Sequence, residues 1–415
     1  MLSRERHRRK PLHETCCAVA ACATCGVICG RAWRRENTTL LIFPTTSSLF
    51  PTYPHADQLH HELALHAAVR RVLASGSLIL GAEVAAFESE FAAFLGVNHV
   101  VGVGSGTDAI ELMLRALEIG SGNRVVVPAF APSAVAAGVL RSGAEVVFAD
   151  IERDTFTLCP ESLDKLLRSP AGQGVKAALV VHLFGHPADW LNLQRVANEH
   201  RITLLEDCAQ AHGAEWQGRM TGTLGKMAAF SFYPTKNLAA CGDAGAVATH
   251  DALLAERLHL IRQYGWRERN VSTLKGVNSR LDELQAALLR VKLVTLRDQV
   301  NQRRRLAALY DVQWLSNELL QTPAVRSGCA HAFHQYVVRC ERRDDLRRHL
   351  EKAGIPTAVH YPVPLHQQPA FAAQTSCPEA EAAACTVLSL PMHAHLTEQA
   401  VNTVCEAIET LPPRC

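Results

Sequence analysis

Short apolar runs that alternate with helix-length segments constrain the fold of this chain more than any other feature. The runs between residues 124 and 250 are RVVVPAF, EVVFADI, AALVVHLFG, ITLLED, AAFSFY and GAVATH. Apolar runs of this kind, separated by helical stretches, are typical of an α/β domain with a mainly parallel sheet. The clearest helix is predicted over 107–120, with Thr107 as its cap and Gly120 as its stop.

The pattern changes after Asn278, where one long amphipathic stretch predicts a connecting helix over about 281–314. Beyond about residue 322, strand-like and helical pieces alternate, which indicates a smaller α+β domain. We therefore predict a leader over 1–51, a large domain over 52–300 and a small C-terminal domain over 301–415.

The bulk composition excludes several classes of protein. Apolar residues make up 48% and charged residues 20%, as in ordinary soluble globular proteins. The formal net charge of +2 provides no global field for nucleic acid. The sequence has no run of the roughly 18 apolar residues that a membrane span needs. We expect a cytoplasmic protein with neither nucleic-acid nor membrane partners.

The leader is basic at first and then rich in cysteine, with five of the 14 cysteines in the first 30 residues. An export signal and a metal site using Cys22 and Cys25 are two interpretations. We favour a disordered leader or a start codon assigned too far upstream, because thiols suit an export signal poorly and a second spaced pair is missing. The cysteines from Cys159 to Cys415 are scattered singly, which indicates reduced thiols. We predict no metal site.

Two residues suggest a specific cofactor. Asp207 ends an apolar run, at the strand edge where ligands of α/β sheets lie, and Lys236 follows the strand-like FSFY. A lysine can hold an aldehyde as a Schiff base, and a carboxylate can keep a pyridinium nitrogen protonated. The pair therefore predicts pyridoxal phosphate. Gln210 is spaced to bond the phenolic oxygen of that cofactor, whereas we interpret His212 as a structural histidine.

A phosphate site is predicted where GVGSGTDAI leads from a strand into the 107–120 helix. The N–H groups at a helix N-terminus bind anions, and Gly104 and Gly106 allow the backbone to approach a phosphate closely. The glycine spacing departs from the dinucleotide pattern GxGxxG, so that interpretation fails. Ser231, five residues before Lys236, is a second candidate phosphate ligand.

With these motifs in place, residues 52–412 resemble the DegT/DnrJ/StrS family of pyridoxal-phosphate sugar aminotransferases, which has fold type I. The matching blocks include GSGTDAIELML, LLEDCAQAHGA, FSFYPTKNL, NSRLDELQAALL and HYPVPLHQQPA. The resemblance implies Lys236 as the Schiff-base lysine, Asp207 as the pyridinium partner and Gln210 as the contact to the phenolic oxygen. It implies phosphate contacts at three positions, namely Gly106, Thr107 and Ser231.

The resemblance also implies partners. Asn278 falls where the family reaches the phosphate of a neighbouring subunit, which implies a homodimer with shared sites. The expected reaction moves an amino group from glutamate to a nucleotide-linked keto-deoxysugar, with a 3-keto sugar favoured over a 4-keto sugar. Candidate substrate contacts are Tyr264, His360 and His366.

Other interpretations remain open. One is a sugar dehydratase of the same family, which we associate with a histidine in place of Lys236. A second is a regulatory protein that binds pyridoxal phosphate without catalysis. The group that covers the cofactor ring is also open, because Pro132 stands where relatives have an aromatic residue and Phe130 lies nearby.

Overall fold

The computed structural model describes residues 49–314 and 319–412. Most of the predicted leader, including Cys22 and Cys25, lies outside these ranges. The predicted division at residue 300 remains a prediction. Across the described ranges, helices that are both long and apolar enough to cross a bilayer are absent.

Twelve α-helices occur within the described ranges. They are α1 Tyr53–Ser75, α2 Ala82–Leu95, α3 Gly106–Ala116, α4 Ser133–Ser142, α5 Pro160–Arg168, α6 Trp190–His200, α7 Ala252–Ile261, α8 Glu283–Leu293, α9 Leu296–Gln313, α10 Arg343–Lys352, α11 Pro378–Thr386 and α12 Glu398–Glu409.

The strands of the same ranges form one large sheet and several short ribbons. They are β1 His99–Val103, β2 Arg124–Pro128, β3 Glu145–Ala149, β4 Val175–Val181, β5 Thr203–Asp207, β6 Glu215–Trp216, β7 Arg219–Met220, β8 Ala228–Ser231, β9 Gly245–Thr249, β10 Trp266–Glu268, β11 Val271–Ser272, β12 Cys329–Ala330, β13 Tyr336–Arg339 and β14 Val387–Leu390.

The large sheet has seven strands in the order β1-β9-β8-β5-β4-β2-β3. The strands from β8 to β3 pair in parallel, while β9 runs antiparallel to both of its neighbours. The interior positions of β4 and β5 are buried, as expected for parallel strands covered by helices on both faces. The mainly parallel mixed sheet predicted from the sequence is therefore confirmed.

The prediction for the helix after β1 was wrong at both ends. Helix α3 spans Gly106–Ala116, and Ser105 caps it, because the Ser105 hydroxyl accepts a hydrogen bond of 3.1 Å from the Asp108 N–H. The helix stops before Glu118, whose backbone is left-handed with φ of 60°. Thr107 lies inside the first turn, so its side chain is not the cap.

The single connecting helix predicted over about 281–314 is two helices, α8 and α9. Val294 and Thr295 separate them, and the hydrogen bonds of Thr295 close the end of α8. The hydroxyl of Thr295 donates to the carbonyl oxygen of Lys292 at 3.1 Å, and its N–H also bonds to that oxygen. Hydroxyl side chains that bond nearby backbone in this way compete with helical hydrogen bonds. The apolar stripe in the sequence is continuous across this break, so periodicity did not reveal it.

A buried arginine connects α9 to the chain beyond it. Arg303 is 1% exposed, and its Nη1 donates to the carbonyl oxygens of Phe333, His334 and Met392 at 3.2 to 3.4 Å. Its guanidinium also lies 4.9 Å from the ring centre of Tyr53, in α1. Burial lowers the pKa of Arg303 from its ordinary value. One side chain therefore joins α1, α9 and two C-terminal segments.

We predict that Arg303→Met lowers the free energy of unfolding by about 3 kcal/mol or more, because three carbonyl oxygens lose a charged donor. Urea denaturation of the purified protein measures the change. The matched control is Arg305→Met, since Arg305 is exposed and should change stability by less than about 0.5 kcal/mol. Equal effects of the two substitutions would contradict the role of Arg303.

Candidate active site

Asp207 lies at the carboxyl end of β5 and is 3% exposed. Its Oδ1 accepts a hydrogen bond of 2.9 Å from the Ala209 N–H, and no hydrogen bond between described residues uses its Oδ2. Burial raises the pKa of Asp207, while the Ala209 N–H and the positive charge of Lys236 oppose that rise. A protonated nitrogen beside Oδ2 would therefore be stabilised.

The neighbouring Glu206 holds the end of β5 in place. Its carboxylate is fully buried and accepts hydrogen bonds of 2.7 to 3.0 Å from His182 and from three backbone N–H groups, those of Gly222, Leu224 and Gly225. The ligand atoms of His182, Glu206 and Cys208 also lie close together. Because the oxygens of Glu206 already have donors, we interpret this cluster as a structural support for Asp207.

Lys236 lies in the loop that follows β8. Its pKa is lowered to about 8, because burial disfavours the ammonium form more than Asp207 favours it. A free lysine with such a pKa is neutral for a larger share of the time near neutral pH than an exposed one. The neutral amine is the form that attacks an aldehyde, and the Schiff-base role of Lys236 remains a prediction.

Asn237 anchors the lysine loop from the next position. Its Nδ2 donates to the carbonyl oxygen of Ala332 at 3.2 Å, and its Oδ1 lies 3.2 Å from Nδ1 of His334. The backbone oxygen of Asn237 accepts from the hydroxyl of Tyr53 at 2.9 Å. Three segments distant in sequence thus hold the residue beside Lys236.

The predicted phosphate residues converge in space. A Cβ atom added to Gly106 would lie 2.6 Å from the Cβ of Ser231, so only glycine fits at position 106 without a shift. The Asp108 N–H is used by the cap, and no hydrogen bond between described residues uses the N–H groups of Gly106 and Thr107. These two groups and the Ser231 hydroxyl form a cradle that suits a phosphate.

Gln210 has a fixed amide orientation. Its Oε1 accepts from the Phe184 N–H at 2.6 Å, and its Nε2 donates to the hydroxyl of Tyr361 at 3.0 Å. The donor end of the amide therefore faces Tyr361. Tyr361 lies in the block HYPVPLHQQPA that carried the family resemblance, but its contact with a residue 151 positions earlier had no signal in the sequence.

The three predicted substrate residues, Tyr264, His360 and His366, lie in different surroundings. His360 bonds to Ser389 at 2.8 Å, and burial, with a further effect of the Lys236 charge, lowers its pKa to about 4. Tyr264 is exposed and contacts Trp266 and Arg280. The charge of Lys236 therefore acts on His360, and the substrate role of His360 remains a prediction.

His366 is buried, bonds to Glu381 at 3.1 Å and contacts the ring of Phe148. Among the described residues, Tyr264 and His366 do not contact Lys236 or Asp207, so their substrate roles remain predictions. Phe130 is fully buried against Phe156 and Tyr361, and the group that covers a cofactor ring remains open.

Two further residues complete the description of the predicted site. Asn278 is exposed, and no recorded contact joins its side chain to the cradle of the same chain. The adjacent Ser279 accepts from the Gly104 N–H and donates to Asp108. His212 is fully buried between Phe230 and Phe232, and burial followed by the Lys236 charge lowers its pKa to about 3.

Comparison with known proteins decides the family. Residues 61–409 match the model of the DegT/DnrJ/EryC1/StrS aminotransferase family. The chain belongs to this family. A Streptomyces venezuelae relative, dTDP-3-amino-3,4,6-trideoxy-alpha-D-glucose transaminase, is 44% identical over 82% of this chain and 90% of the relative. The erythromycin biosynthesis sensory transduction protein EryC1 of Saccharopolyspora erythraea is 45% identical over 81% of this chain and 92% of that protein.

Solved structures agree with the family assignment. The crystal structure of S. venezuelae DesV in complex with a ketimine intermediate has a TM-score of 0.83 and 43% identity to this chain. The match covers 86% of this chain and 97% of DesV. The family and its fold type I architecture therefore agree with the resemblance that the sequence motifs carried.

The donor set fits pyridoxal phosphate, the cofactor of this family. The cradle at Gly106 and Thr107 suits its phosphate, Oδ2 of the buried Asp207 suits its ring nitrogen, and the amine of Lys236 suits its aldehyde. Each match rests on a group that lacks a hydrogen-bond partner or has a shifted pKa in the described structure.

We predict that the cofactor-free protein takes up pyridoxal phosphate faster as the pH rises through about 8. The reason is that the neutral amine of Lys236 is the nucleophile, and its fraction grows above its pKa. Asp207→Asn should move the midpoint to lower pH, because the charge of Asp207 raises the pKa of Lys236. Stopped-flow absorbance measures the rate of cofactor uptake at each pH, and thus the midpoint, for the wild-type protein and for Asp207→Asn. A midpoint near the ordinary lysine value of 10.5 would contradict the burial effect.

Proposed function

We propose that this chain is a pyridoxal-phosphate-dependent aminotransferase that converts a nucleotide-linked 3-keto-deoxysugar into an amino sugar, with glutamate as the donor. The observation that carries the proposal is the buried Asp207 and Lys236 pair at the same sheet edge as the phosphate cradle. The name of the S. venezuelae relative, a transaminase for a 3-amino sugar linked to dTDP, supports the substrate class.

Each residue of the site has a separate role in the proposed amino transfer. When bound, pyridoxal phosphate supplies an electron sink that acidifies the α-proton of an amino donor. Lys236 Nζ would hold the aldehyde of the cofactor and, when not bound to it, would be the base that moves that proton. Asp207 would keep the ring nitrogen protonated, and the N–H groups of Gly106 and Thr107 would bind the phosphate. The second N–H of Gln210 Nε2, beside the one that bonds to Tyr361, would donate to the phenolic oxygen.

Two alternatives follow from the same site. A dehydratase is disfavoured because Lys236 is retained with a pKa suited to proton transfer. A regulatory protein that only binds the cofactor is compatible with the name of the EryC1 relative. Turnover of an amino donor separates the regulator from the aminotransferase.

We predict that Lys236→Ala removes the absorbance band of the lysine-bound cofactor, because no other amine occupies that position. In the wild-type protein, glutamate should bleach the band as the amino group moves to the cofactor. The matched control is Lys226→Ala, because Lys226 is paired with Asp251 on the surface. A wild-type protein that never takes up the cofactor would refute the site, and a band that no amino donor bleaches would favour the regulator.

The sugar is identified by incubating the holoenzyme with glutamate and a panel of 3-keto and 4-keto nucleotide sugars. Mass analysis of the products shows which sugar gains an amino group. We expect conversion of a 3-keto substrate. Conversion of 4-keto sugars alone would contradict that preference while leaving the aminotransferase assignment intact.

We infer that two chains form a homodimer in which Asn278 reaches the phosphate bound by its partner. Exposure of Asn278, and the use of Ser279 within its own chain, support this arrangement. Lys236→Ala and Asn278→Asp should each abolish turnover when expressed alone. In a mixed dimer, one of the two sites combines the intact Lys236 of one chain with the intact Asn278 of the other. Because random pairing makes about half of the dimers mixed, the mixture should recover about a quarter of the wild-type rate. Co-expression followed by turnover assays measures the recovery. No recovery would contradict sharing of the site.

A further inference from the structure

The start of α3 carries two carboxylates close to the proposed phosphate cradle. Asp108 directly follows Thr107 of the cradle, and Glu111 lies three residues further on the same face of the helix. Only 16% of the Asp108 side chain and 3% of the Glu111 side chain are exposed. A phosphate monoester carries a charge of about −1.5 to −2 near neutral pH, so both carboxylates would repel it.

Arg141, in the last turn of α4, pairs with both of these carboxylates. Its Nη1 lies 2.8 Å from Oδ1 of Asp108, and its Nε lies 2.7 Å from Oε2 of Glu111. Glu111 also pairs with Arg115, whose Nε lies 2.8 Å from Oε1. Two arginines therefore balance two carboxylates, and the four side chains together have no net charge. Arg141 is the arginine that reaches the carboxylate beside the cradle.

The Asp108 carboxylate is held against the turn that leads into α3. Its Oδ2 accepts a hydrogen bond of 2.7 Å from the hydroxyl of Ser279, and that hydroxyl accepts one of 3.0 Å from the N–H of Gly104. A Cβ atom added to Gly104 would lie 2.8 Å from Oδ2 of Asp108. The negative charge of Asp108 is therefore fixed next to the cradle, and its effect on an anion depends on its ion pair.

The N–H groups of a helix N-terminus attract an anion, whereas a carboxylate beside them without a counter-charge opposes that attraction. We propose that Arg141 is a positioning residue for the cofactor, which neutralises Asp108 and Glu111 and thereby keeps the cradle able to bind the phosphate of pyridoxal phosphate. This inference rests on the proposed function and adds a residue that controls phosphate affinity. Half of the Arg141 side chain is exposed, and an exposed ion pair contributes little to stability, so its effect should appear in binding.

The test compares two probes on the cofactor-free protein, namely pyridoxal phosphate and pyridoxal, which lacks the phosphate. Absorbance titration gives the dissociation constant of each probe. Arg141→Gln should weaken binding of pyridoxal phosphate about tenfold, because one uncompensated carboxylate charge then acts on the phosphate. Its affinity for pyridoxal should change by less than about twofold. The loss should shrink as the salt concentration rises, because salt screens the repulsion.

A second substitution separates charge from structure. Asp108→Asn removes the charge but keeps an oxygen that can accept from Ser279, so its combination with Arg141→Gln restores a network without net charge. This double variant should recover the affinity for pyridoxal phosphate to within about twofold of the wild-type value. The matched control is Arg168→Gln, which removes an exposed arginine paired with Asp164 on α5 and should leave both affinities unchanged.

Three outcomes would overturn the proposal. They are an unchanged affinity of Arg141→Gln for pyridoxal phosphate, an equal loss with both probes, and a loss that the added Asp108→Asn does not restore. Asp108→Asn alone provides a test that does not depend on the folding of Arg141→Gln. It leaves an excess positive charge, so a loss confined to pyridoxal phosphate would also contradict the proposal. A wild-type protein that does not take up pyridoxal phosphate would instead refute the proposed function.

Discussion

The parallel pairing of β5 with β8 is the constraint on which the site depends. Its register sets Asp207 opposite Ala229, and β8 then leads into the loop that carries Lys236. The carboxyl group and the amine therefore lie at one edge of a buried sheet. Burial raises the pKa of the first and lowers that of the second, and each charge partly opposes the effect on the other. Such a balance would suit a site that holds a protonated ring nitrogen and presents a nucleophilic amine, as proposed for this chain.

Support for that edge comes from segments far apart in the chain. Arg303 bonds to the backbone at His334, His334 contacts Asn237, and Asn237 follows Lys236. Tyr53 at the start of α1 bonds to the backbone oxygen of the same asparagine. These contacts hold the lysine loop in place. Packing of the C-terminal segments is thereby linked to the position of the reactive amine.

Much of the candidate site could be predicted from the sequence, because its members lie in local motifs. A glycine-rich turn before a helix and an acidic residue at the end of an apolar strand each have a local physical meaning, and the structure has α3 and β5 at those positions. Gly106 lies so close to Ser231 that a Cβ atom added to the glycine would be 2.6 Å from the serine Cβ, and this proximity brings the two distant motifs together. The contacts of Tyr361 and His334 were missed, since periodicity carries no information about partners about 100 or more positions away. The break at Thr295 was missed because one side-chain hydrogen bond produces it.

The sequence by itself determined the α/β class, the residues available for the chemistry and the family resemblance, because these depend on local pattern and on ordered motifs. Only the tertiary structure decided the lowered pKa of Lys236 and the orientation of Gln210. Those properties depend on burial and on hydrogen-bond partners that folding brings together. The same lysine on an exposed loop would keep an ordinary pKa, and burial in this fold lowers that pKa to about 8.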